Sequence, residues 1–294
     1  MKRTSKAEQA ADAIIEALPY FKHFAGKTVV IKYGGSAQVD AGLRRNVCED
    51  LVLMEAVGIR TVLIHGGGPE ISEMLGRLGK ETKFVEGLRV TDEETAEVAE
   101  MVLVGKINKG LVAEINLAGG RAIGLSGRDG NLVWARRAKP VAVNGENVDL
   151  GQVGQPRKIN PEILADLIEK HYIPVVAPTG MGPSGEMLNI NGDAVAGHIA
   201  ASLKAEKMIF LTDQVGVLAE VGNPETLISE IRVEEIEGMT RRGIISKGMI
   251  PKMESARHAL EGGVKSVHII DGRVPHALLL ELFTSEGVGT MIRR

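Results

Sequence analysis

The sequence predicts an α/β protein with a mainly parallel sheet, and three observations carry that prediction. Short apolar runs rich in β-branched residues recur at 29–31, 61–64, 173–177, 207–212 and 267–270, each of a length that suits a buried strand. Segments with helical spacing alternate with these runs, as βα units require. Several strands lead straight into glycine-rich or polar loops, the place where open α/β sheets bind ligands.

The first core strand, within TVVIKYGGS at 28–36, ends in Lys32 and a glycine pair, Gly34 and Gly35. A lysine is a compact point charge, and glycine backbone N–H groups can approach an oxyanion closely. A turn with a surface lysine is the plainer alternative. Before this strand, residues 6–18 form an amphipathic helix with Ala11, Ile14, Ile15 and Leu18 at helical spacing, which Pro19 is expected to end or kink. Tyr20, Phe21 and Phe24 follow. This greasy face packs either on its own domain or on another subunit.

After the first strand comes a helix over 42–57 with Gly58 as its C-cap, then the strand at 61–64. That strand runs into His65, three glycines (Gly66, Gly67, Gly68) and Pro69, which suits the first turn of a helix reaching Leu78. Three glycines between a strand and a helix N-terminus make an oxyanion cradle. A long helix begins after Thr91 or Asp92, either of which can cap it, and should kink near Gly105. Arg89 lies just before that cap, placed for a two-pronged hydrogen bond to a carboxylate or for an ordinary surface salt bridge.

A strand at 121–125 ends in SGRDG, and antiparallel ribbons follow at 131–135 and 141–153. A helix from residue 160 or 161 to 171 leads to the strand at 173–177. Gly180, Gly182 and Gly185 match G-x-G-x-x-G formally but open no helix, so this is no dinucleotide fingerprint. The P-loop pattern is absent from the sequence. Asp193 is placed to cap a helix over 194–203, or to hold lysines or a metal in a phosphoryl-transfer site. Lys252 stands near the start of a helix running to Glu261, where the dipole disfavours a cation unless an anion is present. A helix at 276–283 and a closing strand at 287–292 complete the chain.

Composition narrows the function. The chain has 294 residues, 44% hydrophobic and 25% charged, with net charge −3 and no basic tract, which argues against a nucleic-acid partner. The lone Cys48 excludes an internal disulfide and a cysteine-rich metal site, fits a reducing cytoplasm, and reads as buried filler. No apolar run reaches the length of a membrane span, and the basic start lacks the apolar stretch of a signal peptide. The expected location is cytoplasmic.

VIKYGG, HGGGPEI, GLRVTD, GLSGRDGN, LNINGD, LTDQVGVL and KGMIPKMESA occur in this order over essentially the whole chain. With these motifs the chain resembles the acetylglutamate kinases of the amino acid kinase family. The resemblance implies a three-layer αβα sandwich in two lobes. It implies an N-terminal oligomerisation helix over 1–25, an acyl-amino-acid lobe over 26–180 and a nucleotide lobe over 181–294. The implied reaction moves the γ-phosphoryl group of ATP, with Mg²⁺, onto the side-chain carboxylate of N-acetyl-L-glutamate in arginine biosynthesis. Lys32 and Lys252 match the lysines that stabilise the transferring group, and Asp193 the aspartate that positions them. Gly67, Gly68, Arg89 and Asn189 match substrate contacts. Gly34 and Gly35, with Asp213, Gln214, Val215, Gly216, Val217 and Leu218, and with Ser246, Lys247 and Gly248, match nucleotide-binding positions. No residue is matched to a dedicated metal site. The N-terminal helix resembles that of the arginine-inhibited hexameric type, a trimer of dimers, with Tyr20, Glu281, Gly287 and Gly289 near the inhibitor. The resemblance leaves open whether a PII signalling protein binds. A related kinase acting on carrier-linked aminoadipate or on carbamate, and a non-catalytic arginine sensor, are the alternatives.

Overall fold

The computed structural model describes residues 5–35, 38, 40–143, 146–220, 222–246, 248–285 and 287–294. Ser36, Lys247 and Glu286, which the motifs single out, lie outside the described residues.

An eight-stranded sheet forms the centre. Its strands are β1 (Thr28–Tyr33), β2 (Arg60–His65), β3 (Ala122–Ser126), β4 (Ile173–Ala177), β5 (Lys207–Thr212), β6 (Glu230–Arg232), β7 (Ser266–Asp271) and β8 (Gly289–Arg293). The spatial order is β6-β8-β7-β5-β1-β2-β4-β3. Every pairing is parallel except β7 with β8. The carboxyl ends of β1, β2, β4, β5 and β7 therefore open on one edge.

Side chains alternate across β1 because the strand period is two. Val29, Ile31 and Tyr33 enter one core, and Val30 enters the other. The first core lies under helices α1 (Lys6–Phe24), α2 (Ala41–Ala56), α3 (Gly68–Arg77), α4 (Glu93–Glu100), α5 (Lys109–Leu117) and α10 (Ala277–Phe283). The second lies under α6 (Glu162–Glu169), α7 (Gly192–Ser202), α8 (Ile236–Arg241) and α9 (Met249–Glu261). Two helical layers over one sheet give the expected αβα sandwich. A closed ring of four strands, Val133–Arg137, Val153–Ile159, Thr179–Met181 and Met187–Ile190, rides beside it.

Helix α1 continues past the expected stop at Pro19. Proline removes one helical hydrogen bond. The turn that follows is held by tertiary contact: Phe21 meets Phe283 of α10 edge-on with ring centroids 4.8 Å apart, and Phe24 is buried. So the end of α1 packs on its own domain, while Ile14, Ile15 and Leu18 stay exposed at 62%, 67% and 41%. Ser5 and Glu8 close a capping box at its start.

The kink expected near Gly105 is a π-helical stretch, Met101–Asn108, between α4 and α5. Asp92 caps α4 by accepting from the Thr95 N–H at 2.8 Å. Cys48 is buried in α2, and burial pushes its thiol up to about 12. The three-residue β6 is too short to stand out in the sequence. Among the described residues no helix is long and apolar enough to cross a membrane.

Candidate active site

Lys32 leaves the end of β1 on the face of Val30, towards α7. Asp193 sits in the first turn of α7 and Lys252 in the first turn of α9. The three meet. Lys32 Nζ lies 3.0 Å from Asp193 Oδ1 as an ion pair without hydrogen-bond alignment, and Lys252 Nζ donates to Asp193 Oδ2 at 2.8 Å. Burial works to raise the Asp193 carboxyl, but the two ammonium groups outweigh it and hold it below the ordinary range. It is a buried carboxylate carrying two lysines. Asp193 is also the anion that Lys252 needs at a helix N-terminus.

Asp193 is not the cap of α7, as the sequence suggested. Asn191 takes that role, accepting from the Asp193 N–H at 2.8 Å, which frees the Asp193 carboxylate for the lysines. Close packing sets the distance between α7 and α9. A Cβ on Gly197 would fall 2.3 Å from Ser255 Oγ, and Ser255 Oγ donates to the Asp193 carbonyl at 2.5 Å. Gly34 is needed for a similar reason, since a Cβ there would lie 2.4 Å from Lys32 Nζ.

The glycine loop after β2 closes the same end of the sheet. A Cβ on Gly67 would lie 2.5 Å from Ile107 Cδ1 and 2.7 Å from Leu103 Cδ2, so the π-helical stretch requires glycine there. Gly68 faces open space. Arg89 is buried and donates to the Gly68 carbonyl at 2.8 Å, to Ser72 Oγ at 3.0 Å and to Thr82 Oγ1 at 3.2 Å, with its guanidinium 4.7 Å over the Phe84 ring. Burial lowers its pKa, yet an arginine stays cationic at neutral pH. Among the described residues no carboxylate pairs with it, so the surface salt bridge is not its role. The segment after it joins the strand carrying Asn189. Gln152 N–H donates to the Thr91 carbonyl, and Asn189 N–H donates to the Gln152 carbonyl.

On the other side of the lysines a cleft of 440 Å³ opens. Lys32, Gly35 and Lys252 line it, with Asp213, Gln214, Gly216, Val217 and Leu218. Ser246 and Gly248 also line it; Gly34 and Val215 do not. Gly216 has φ 143°, and a Cβ on it would press on Thr290 Oγ1. Thr290 accepts from the Val217 N–H at 2.8 Å and donates to the Ile228 carbonyl at 2.7 Å, so β8 holds this loop. Two ammonium groups together with apolar lining from Val217, Leu218, Ile244 and Met249 suit a polyphosphate bearing a planar base. Among the described residues no group of His, Cys, Asp or Glu is arranged to hold a metal.

The family model for the amino acid kinase family matches residues 27–271. The chain belongs to the amino acid kinase family. It is 55% identical to the acetylglutamate kinase of Moorella thermoacetica over 282 residues, covering 95% of each chain. It is 54% identical to that of Desulfitobacterium hafniense, covering 99% of each. Among solved structures it resembles the N-acetylglutamate synthase of Neisseria gonorrhoeae complexed with coenzyme A and N-acetyl-glutamate, at TM-score 0.84 and 28% identity. That match covers 97% of this chain and 63% of the synthase chain. Carbamate kinase from Giardia lamblia bound to AMP-PNP shares the fold at TM-score 0.67 and 17% identity, over 92% of this chain and 99% of that one.

Two features of this amino acid kinase family member escape sequence reasoning. His65 is fully buried; its Nδ1 donates to the Gly66 carbonyl at 2.8 Å, and Asn108 of the π-helical stretch donates to its Nε2 at 3.3 Å. Burial, with Lys32 adding to it, lowers its pKa to about 4, so it is neutral at pH 7 and leaves the phosphate-facing charge to the lysines. The second is a buried cluster between β5, β7 and α10. His268 Nδ1 meets Glu281 Oε1 at 2.5 Å, and its Nε2 faces Lys207 Nζ at 3.1 Å and Ser266 Oγ at 2.8 Å. Glu281 also accepts from the Val288 N–H at 2.9 Å, beside Gly287 at φ 61°. Burial pushes the Glu281 carboxyl up, but His268, the Val288 N–H and Lys207 more than offset it. Gly289 is forced by the Ile269 carbonyl, on which any Cβ would fall. Tyr20 is half-buried on α1, which packs on α10, the helix that carries Glu281. The family resemblance singles out Glu281, Gly287 and Gly289, but no motif includes His268 or Lys207, which contact Glu281 or its partner from neighbouring strands.

Proposed function

We propose that the chain is an acetylglutamate kinase, transferring the γ-phosphoryl group of ATP to the side-chain carboxylate of N-acetyl-L-glutamate in cytoplasmic arginine biosynthesis. The Lys32–Asp193–Lys252 cluster, lying between the Arg89 glycine-loop region and the cleft, is the observation that supports it most. Arg89 holds the substrate α-carboxylate, and Gly68, Gly67 and Asn189 line the acyl side. The cleft takes the nucleotide.

The acceptor carboxylate is ionised at neutral pH, with a reference pKa of about 4.3, so no base is needed. One of its oxygens attacks the γ-phosphorus. The bond from that phosphorus to the bridging oxygen breaks, and ADP leaves with the electron pair. Charge spreads over the equatorial oxygens, and the lysine ammonium groups stabilise it where it develops. Asp193 keeps both lysines in place and offsets one of their two charges before substrate binds. Mg²⁺ bound with the nucleotide would supply further neutralisation beside Lys32 and Lys252. The proposed lobes, 26–180 for the acyl amino acid and 181–294 for the nucleotide, each lend residues across the boundary: Asn189 to the acyl side, Lys32 and Gly35 to the cleft.

Regulation belongs to the same proposal. The exposed Ile14, Ile15 and Leu18 of α1 fit interlacing between dimers into a hexamer, and L-arginine binds by Glu281, Gly287 and Tyr20. Deleting residues 1–23 should abolish hexamers and arginine inhibition while turnover persists. A truncated protein that still sediments as a hexamer would count against this. The deciding assay is ADP release from MgATP with N-acetyl-L-glutamate, with and without L-arginine. Turnover with this acceptor and not with carbamate or aminoadipate supports the kinase; no turnover with any of them removes it.

A further inference from the structure

The helices α7 and α9 make a second contact further along from Asp193 and Lys252. The rings of His198 on α7 and His258 on α9 stack with centroids 3.8 Å apart and planes 23° apart. His198 is fixed in this pose by its own helix, its Nδ1 donating to the Ala194 carbonyl at 2.9 Å. The half-buried His198 and the exposed His258 line a cavity of 620 Å³ together with residues of the strand Val153–Ile159. Between the stack and the Asp193–Lys252 bond lie the close approach of Gly197 to Ser255 and the buried Val195, Ala196, Met253 and Ala256 of the two helices. The helices are rigid rods, so a change in spacing at the stack tilts Lys252 relative to Asp193.

We infer that His198 and His258 are positioning residues, whose stacked rings clasp α7 to α9 and so hold Lys252 on Asp193 for phosphoryl transfer. This rests on the proposed kinase function. The clasp is also sensitive to acid. Acid works against it, because a charge on His198 is disfavoured by its burial and by His258 beside it. The charged groups around the cavity are Glu254 and Arg257 on α9 and Glu86 on the hairpin before Arg89; the neighbouring stretch Val153–Pro156 presents none. Burial, and His258 beside it, hold His198 below the ordinary imidazole value. The folded chain therefore binds fewer protons here than the unfolded chain does, and stability is lost as pH falls through the unfolded imidazole pKa of about 6.5.

The test compares wild type, His258→Ala and His258→Phe. With MgATP and N-acetyl-L-glutamate, His258→Ala should lower kcat by about tenfold or more, the scale of a displaced catalytic group, with KM for either substrate nearly unchanged. His258→Phe restores an uncharged ring and should recover most of kcat. It should also weaken the acid-side fall in kcat expected of wild type, which reports the folded protein and so lies below the free imidazole value of about 6.5. Melting temperatures of the three proteins between pH 5 and pH 8, buffer values of about that range, need no acceptor; wild type should lose more stability on acidification than His258→Phe. An alanine variant with wild-type kcat, or a phenylalanine variant with the wild-type acid limb and melting slope, overturns the clasp. Absence of wild-type turnover overturns the kinase assignment instead, and the melting slopes then decide the clasp alone.

Discussion

Lys32→Ala should lose at least roughly a hundredfold in kcat, because removing one well-placed donor from a developing oxyanion costs about 2.7–4 kcal/mol of barrier. The loss should fall on kcat at saturating MgATP and N-acetyl-L-glutamate, since Lys32 acts most strongly on charge that grows during transfer. The fold should survive. Asp193 keeps Lys252 as a direct partner at 2.8 Å, so the buried carboxylate is not stranded. Lys32→Arg should not rescue turnover. The ammonium already sits so close to Gly34 that a Cβ there would lie 2.4 Å from it, leaving no room for a guanidinium fork. Quench-flow or steady-state ADP release measures this directly, and near-normal turnover in Lys32→Ala would remove Lys32 from the reaction.

Arg89→Ala should raise KM for N-acetyl-L-glutamate by about a hundredfold, within the 2–5 kcal/mol range for one partner of a buried, hydrogen-bonded charge pair. Its KM for MgATP and its kcat should change little, because Arg89 grips a part of the acceptor that does not react. Arg89→Lys should behave nearly like the alanine variant. The guanidinium satisfies the Gly68 carbonyl, Ser72 and Thr82 together while lying over Phe84, and an ammonium cannot reproduce that planar fork. Because those contacts also steady the glycine loop, thermal unfolding should be measured beside the kinetics. An equal rise in both KM values would mean that the loop, and not the acceptor carboxylate, depends on Arg89.

The sequence made the site's inventory legible because its parts are local. A run of valines and isoleucines followed by glycines announces a buried strand and its loop, and Lys32, Gly67 and Gly216 all sit at such junctions. What stayed hidden depends on neighbours far along the chain. Asn191 and Asp193 are both good caps, and only the presence of two lysines shows which carboxylate or amide turns inward. Pro19 predicts a helix end, but aromatic packing on α10 carries the helix through it. The π-helical stretch has no composition of its own; it is imposed where Gly67 and His65 press against Leu103, Ile107 and Asn108. His198 and His258 have no motif and meet only because α7 and α9 are adjacent.

The placement of β1 has a consequence for how the molecule can be assembled or divided. Val29 pairs with Thr61 on one side, close in sequence, and with Lys207 on the other, across most of the chain. The strand bearing Lys32 is thus the seam between the two proposed lobes. Forming it means closing a very long loop, and such non-local pairing is slow. A fragment cut near residue 180 would keep β1 with one flank bare, offering a row of unpaired backbone groups from the middle of a sheet to other chains. The halves are therefore expected to aggregate when made apart and to recover solubility when produced together.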